Sequence, residues 1–206
     1  RRQRQMCIRD RPGILIPEEY GGSNFGVTGI GVILNECGKT LTPSPLFATG
    51  VLGAYSISNF GNEKQKQKYL PKYASGEWIS CFCLTEPDAG SDAASLKTTA
   101  VRDGDHYILN AAKRYITNAK VANTFNVIAR TNPSILGARG ISSFIVEKDT
   151  PGITLGSVDK KMGQSGSMTC DVILEDCRVP AENIIGEEGE GFITAMKVLD
   201  RGRLHI

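Results

Sequence analysis

The chain has 206 residues, 40% hydrophobic and 22% charged, the mixture of a soluble globular protein built as one large domain or two small ones. The net charge of +2 is small, although a basic arm at the start could bind nucleic acid or an acidic membrane, with a tail of no function as the other reading; no apolar run approaches bilayer-spanning length. Six cysteines lack any C-x-x-C spacing and the two histidines, His106 and His205, are far apart, which points to free thiols in a reducing compartment and to no metal site.

The charge is unevenly placed. Arg1, Arg2, Arg4, Arg9 and Arg11 stand against Asp10, a basic arm (residues 1–12) that no basic stripe continues, so it is set apart as a tail foreign to the fold. Residues 13–77 read as helical. Ile30, Ile33, Leu34 and Cys37 follow i, i+3, i+4, i+7 and predict an amphipathic helix ending near Gly38. Phe47, Val51, Leu52 and Tyr55 predict a second, stopped by Gly61, with Ile57 off the stripe and so covered on another side. A Lys/Gln-rich helix follows over 63–73, with Pro71 expected to kink or divide it. Its lysines read as a solvated face, not a nucleic-acid surface.

From Trp78 the apolar period changes from 3.6 to 2. Strands are predicted at 78–84, 95–102, 105–111, 113–117, 124–130, 141–147, 153–158 and 169–176, with Asp103-Gly104 as a two-residue hairpin signal. Residues 78–188 therefore form an antiparallel β-barrel or a pair of packed sheets. Over 189–206 Phe192, Ala195, Met196 and Leu199 mark a helix expected to run off the end of the chain at Ile206 without a cap. The layout is α, then β, then α.

Two stretches carry chemistry. In Cys81-Phe82-Cys83-Leu84-Thr85-Glu86-Pro87-Asp88-Ala89-Gly90-Ser91-Asp92 a strand breaks at Pro87 into a turn with free amides, where Gly90 allows positive φ or close backbone approach. Such a turn can hold a flat heteroaromatic ring and a phosphate; it is equally a bare hairpin corner. In Lys113-Arg114-Tyr115-Ile116-Thr117-Asn118, Tyr115 and Thr117 share one strand face.

Together these runs resemble the acyl-CoA dehydrogenase family, with its T-E-P-x-A-G-S-D segment followed by (W/Y)-I-T-N. The likeness extends from about Gly13 to Ile206 through Ile16-Pro17-Glu18-Glu19-Tyr20-Gly21-Gly22, Met162-Gly163 and Asp200-Arg201-Gly202-Arg203. It implies an α+β multi-domain protein: an incomplete N-terminal helical domain, a middle β-barrel, and the first helix of a truncated C-terminal helical bundle. It further implies FAD-dependent oxidation of an acyl-CoA thioester to the trans-2-enoyl-CoA within fatty-acid β-oxidation, a carboxylate taking the α-proton while the β-hydride passes to flavin N5. Phe82, Cys83, Leu84, Thr85, Gly90 and Ser91 would line the isoalloxazine and pyrophosphate, and Tyr115, Ile116 and Thr117 the rest of the ring. Ser91, Asp200 and Arg203 would meet coenzyme A. Tyr115 departs from the Trp of many relatives.

No catalytic residue is assigned. Most relatives carry the base far downstream; a minority carry it just before the arginine of D-x-x-R, here Gly202. Glu86 belongs to a turn and is not assigned that role. An electron-transferring flavoprotein, a homo-oligomeric state, and a bacterial cytoplasmic or mitochondrial matrix location complete the expectation. The alternatives are an oxidase or monooxygenase of the same fold, or a β-barrel binding module that takes up no flavin.

Overall fold

The computed structural model describes residues 12–206, so the basic arm lies outside the described residues except for Pro12. The helical part opens with α1 (Gly26–Lys39). A buried π-helical run, Phe47–Gly53, continues as α2 (Ala54–Phe60), and α3 spans Glu63–Ala74. Ile57 is buried, as its place off the stripe requires. Pro71 does not divide α3. It sits in the last turn, where its missing N–H costs a single bond, and its own carbonyl accepts the Ser75 N–H.

The start of α3 is a reciprocal cap: Asn62 Oδ1 accepts the Gln65 N–H, and Gln65 Oε1 accepts the Asn62 N–H. The Gln65 amide also donates to the carbonyls of Glu182 and Ile184, joining the helical layer to the β-domain. Asn62→Ala is expected to cost about 1 kcal/mol, read as a lowered urea midpoint with unchanged slope.

Seven strands form one curled sheet: β1 (Ser80–Cys83), β2 (Thr99–Asp103), β3 (His106–Thr117), β4 (Thr124–Arg130), β5 (Ile141–Glu147), β6 (Ile153–Leu155) and β7 (Thr169–Pro180). The sheet is not wholly antiparallel. β1 pairs with β4 in parallel, because the β2–β3 hairpin intervenes as a long crossover. β2 touches the far end of β4 through Thr99 and Arg130, so β1 and β2 lie end to end between β4 and β3.

The two strands expected at 105–111 and 113–117 are one. β7 follows β3 throughout, and register shifts after Leu109 and Lys113 absorb the irregularities instead of ending the strand. β2 begins later than expected because the Lys97 and Thr98 amides bond the Glu86 carboxylate. The hairpin loop is Gly104-Asp105, one residue beyond the dipeptide singled out, since Asp103 still pairs with His106.

Inside the curl Tyr107, Leu109, Ile116, Phe125, Val127 and Phe144 pack with Cys81 and Cys83, the Tyr107 and Phe144 rings meeting edge to face at 5.1 Å. Outside it Ile57, Tyr69 and Tyr73 pack on Ile145 of β5. The last helix, α4 (Gly191–Arg203), presses its first turn onto β5. A Cβ on Gly191 would stand 2.2 Å from the Ser142 carbonyl carbon, so only glycine permits this approach. Contrary to expectation α4 closes at Arg203: the His205 ring is buried, and its Nδ1–H donates to the Arg201 carbonyl at 2.8 Å.

Candidate functional site

Alternation along β1 and β3 divides the predicted site residues into two sets. Cys83 and Ile116 point into the barrel, 0% and 2% exposed, where Cys83 Sγ lies 3.8 Å from Cys81 Sγ. Their side chains therefore cannot line a bound ring, contrary to the expectation; only their main chain can. Phe82 and Leu84 face the other way and pack beside Ala195 of α4. Tyr115 and Thr117 also turn away from the barrel core, Tyr115 being 61% exposed.

Tyr115 adopts φ +60° within a bulge, a conformation costly for a non-glycine residue. The bulge keeps Lys113 and Ile116 buried while turning Tyr115 outward, with the Arg114 guanidinium 5.1 Å from its ring centre. Arg114 in turn pairs with Asp171 at 3.3 Å.

Tyr115 and Thr117 border an open cleft of about 470 Å³ with Asp159, Lys160, Lys161 and Gln164. Thr117 and Gln164 also border a second cleft of about 440 Å³, with Asn118, Cys37, Phe47 and His205. Both volumes suit a small-molecule site. The Arg114 N–H donates to the Thr85 carbonyl at 2.8 Å, which fastens the turn after β1 to β3 three residues before Thr117.

Gly90 and Ser91 are exposed on that turn and line neither cleft. Gly90 does not have the positive φ its type allows. Instead a Cβ placed there meets nothing within 4 Å, the open approach that a phosphate-bearing ligand requires. Among the described residues neither the Gly90 nor the Ser91 N–H has a protein acceptor. The exposed ring of Tyr115 with the Thr117 hydroxyl at one cleft, and the two free amides on the turn after β1, are the kinds of group that a flavin dinucleotide takes.

Asp200 and Arg203 stand apart on the outer face of α4, about 70% exposed and paired to each other at 2.9 Å. Such a pair stabilises little, so both groups can turn to a ligand. Gly202 is buried, and a Cβ there would meet the side-chain ends of Leu52 at 3.1 Å and Phe47 at 3.4 Å; as glycine it carries no carboxylate.

Residue types did not reveal the ion pair behind the site. Lys113 is wholly buried, and its Nζ bonds Glu86 Oε1 at 2.8 Å. Burial works to raise the Glu86 carboxyl, but the Lys113 charge and hydrogen bonds from Lys113, Thr98 and Lys97 outweigh it and hold the carboxyl below its usual range. Both carboxylate oxygens are engaged, so Glu86 is no general base. Because its native value is depressed, its contribution to stability is whole above the unfolded value of about 4.3. That contribution is lost as pH falls through the lowered native value. Glu86→Gln is expected to flatten the acid limb of a melting-temperature profile below about pH 4. The signal was present in the K-R-Y-I-T-N run, where a lysine two residues before Tyr115 falls on a buried strand.

Asn118 also went unassigned. At φ +66° and buried, it donates its N–H to Met168 and accepts at its carbonyl from Val121 and Ala122, ending β3 just after Thr117.

Residues 81–177 match the family description "Acyl-CoA dehydrogenase, middle domain" and residues 2–77 match "Acyl-CoA dehydrogenase, N-terminal domain"; the second match takes in most of the basic arm. A short-chain-specific acyl-CoA dehydrogenase of Clostridium acetobutylicum is 44% identical over 94% of this chain and 52% of its own. The butyryl-CoA dehydrogenase structure from Megasphaera elsdenii superposes with TM-score 0.89 at 37% identity, over 100% of this chain and 55% of that one. An acyl-CoA dehydrogenase from Bacillus anthracis, solved in complex with FAD, does so with TM-score 0.88 at 39% identity, over 98% and 35%. The chain spans about half the length of the curated relatives it matches. With both domain matches in place, the chain belongs to the acyl-CoA dehydrogenase family.

Proposed function

We propose that the protein carrying this chain desaturates an acyl-CoA thioester between Cα and Cβ. The observation that supports it most is the pair Tyr115 and Thr117, which turn away from the barrel core to border one open cleft. Phe82 and Leu84 turn away from that core on β1, and the turn that follows is open at Gly90. FAD, when bound, supplies the acceptor for the β-hydride.

The chain's own residues hold and orient. Tyr115 covers one part of the ring, and the Thr117 hydroxyl offers it a hydrogen bond. The Gly90 and Ser91 amides take the pyrophosphate. Asp200 and Arg203 are assigned to the coenzyme A moiety, with Ser91 at its near end. No residue of this chain is assigned as the α-proton base, because Glu86 is locked to Lys113 and position 202 is a glycine. A dry, pre-shaped cleft is what brings base, thioester and ring to reacting distance. An electron-transferring flavoprotein as acceptor, assembly as a homo-oligomer, and a place in fatty-acid β-oxidation belong to the same proposal. So does a bacterial cytoplasmic or mitochondrial matrix location; no helix among the described residues is long and apolar enough to cross a membrane.

The test is dye reduction by the full-length protein loaded with FAD, across acyl-CoAs of increasing length and the matching free acids. Turnover with thioesters and none with the acids is expected. Loaded protein inert toward every thioester would refute the reading.

A further inference from the structure

The buried ion pair does more than fill space. Lys113 Nζ, with no exposed surface, spends its three protons on the Leu84 carbonyl at 3.1 Å, the Ile128 carbonyl at 2.7 Å and Glu86 Oε1 at 2.8 Å. Glu86 then accepts the Thr98 N–H at 3.1 Å and the Thr98 hydroxyl at the same oxygen, and the Lys97 N–H at 2.6 Å at the other. One ammonium and one carboxylate thus join the end of β1, the turn after it, the entry to β2, and strands β3 and β4.

The residue at the centre of this clamp is Thr85. Its neighbour on one side gives Lys113 a carbonyl, its neighbour on the other gives a carboxylate, and its own carbonyl takes the Arg114 N–H. On β3 the same lysine lies two residues before Tyr115 and four before Thr117, on a strand whose bulge starts immediately after it. A buried ion pair is an expensive way to hold a core together, since apolar side chains of similar volume serve stability as well or better. Its distinctive property is fixed geometry, which sites needing sub-ångström placement require.

We infer that Lys113 and Glu86 are a positioning pair for the flavin site, setting the spacing between the turn at Thr85–Ser91 and the Tyr115–Thr117 face. This rests on the flavin reading of the cleft. It concerns neither proton transfer nor direct contact with the ring.

The experiment uses the full-length protein with Lys113→Met and Glu86→Gln. Ile57→Ala, in the helical layer and away from the site, serves as a destabilised control. FAD affinity is measured by quenching of flavin fluorescence, and amide hydrogen exchange is followed on the FAD-free protein. The expected result is an FAD dissociation constant raised at least about tenfold beyond the control. Faster exchange should be confined to Thr85–Ser91, the Lys97 and Thr98 amides and Arg114–Thr117, with β4–β5 still protected. Glu86→Gln keeps shape and serves if Lys113→Met does not fold. Losses no greater than in the control, or exchange rising evenly across the sheet, would overturn the proposal and leave the pair a core filler. If the unaltered protein takes up no FAD, the flavin reading fails by itself. The exchange pattern then still decides: local loosening supports the positioning role of the pair, and an even rise refutes it.

Discussion

Lys113→Met is expected to lower folding stability by about 3–5 kcal/mol, the usual consequence of removing one partner of a buried ion pair. The methionine fills most of the lysine's volume, so the loss is not a cavity effect. It comes from Glu86, left 7% exposed without its counter-charge, and from the Leu84 and Ile128 carbonyls, left without a donor. Glu86→Met/Lys113→Met is expected to be less destabilised than the two single changes added together, because no lone charge remains. It does not return to the starting stability, since the Lys97 and Thr98 amides then lose their acceptor. Urea titrations of the four proteins measure this. Strict additivity would mean that the pair does not act as a unit.

Gly191→Ala should rank next, at about 3 kcal/mol. The obstacle is backbone: the new Cβ meets Ser142 C at 2.2 Å and Ser143 N at 2.4 Å, neither of which can rotate away as a side-chain tip could. Either β5 shifts or α4 lifts. Lifting α4 would uncover Ala195 and Val198 and move Asp200 and Arg203 with the helix. Ile193→Ala, two residues on and 53% exposed, should change stability by less than about 0.5 kcal/mol. Equal effects at the two positions would show that α4 is not held by this contact.

How much of this was legible beforehand depended on whether the determinant was local. The strands at 124–130 and 141–147 match their predicted bounds because both are buried, β-branched runs flanked by turns. The common face of Tyr115 and Thr117 followed from strand alternation, and it survives the bulge. Long-range effects were not visible. The late start of β2 depends on a carboxylate eleven residues earlier, and the closure of α4 on a buried histidine ring. Cys83 and Ile116 fell within the motif yet face the barrel, because a motif names residues while the pleat decides which side each one serves. Lys113 was the hardest to see: lysine is rarely buried, and its partner lies on the far side of a hairpin.

The most direct test of the flavin cleft is a structure of the full-length protein purified with its FAD. The isoalloxazine is expected in van der Waals contact with Tyr115 and within hydrogen-bond distance of the Thr117 hydroxyl, the pyrophosphate facing the Gly90 and Ser91 amides. A flavin seated elsewhere, with Thr85–Ser91 and Tyr115–Thr117 untouched, would contradict the account.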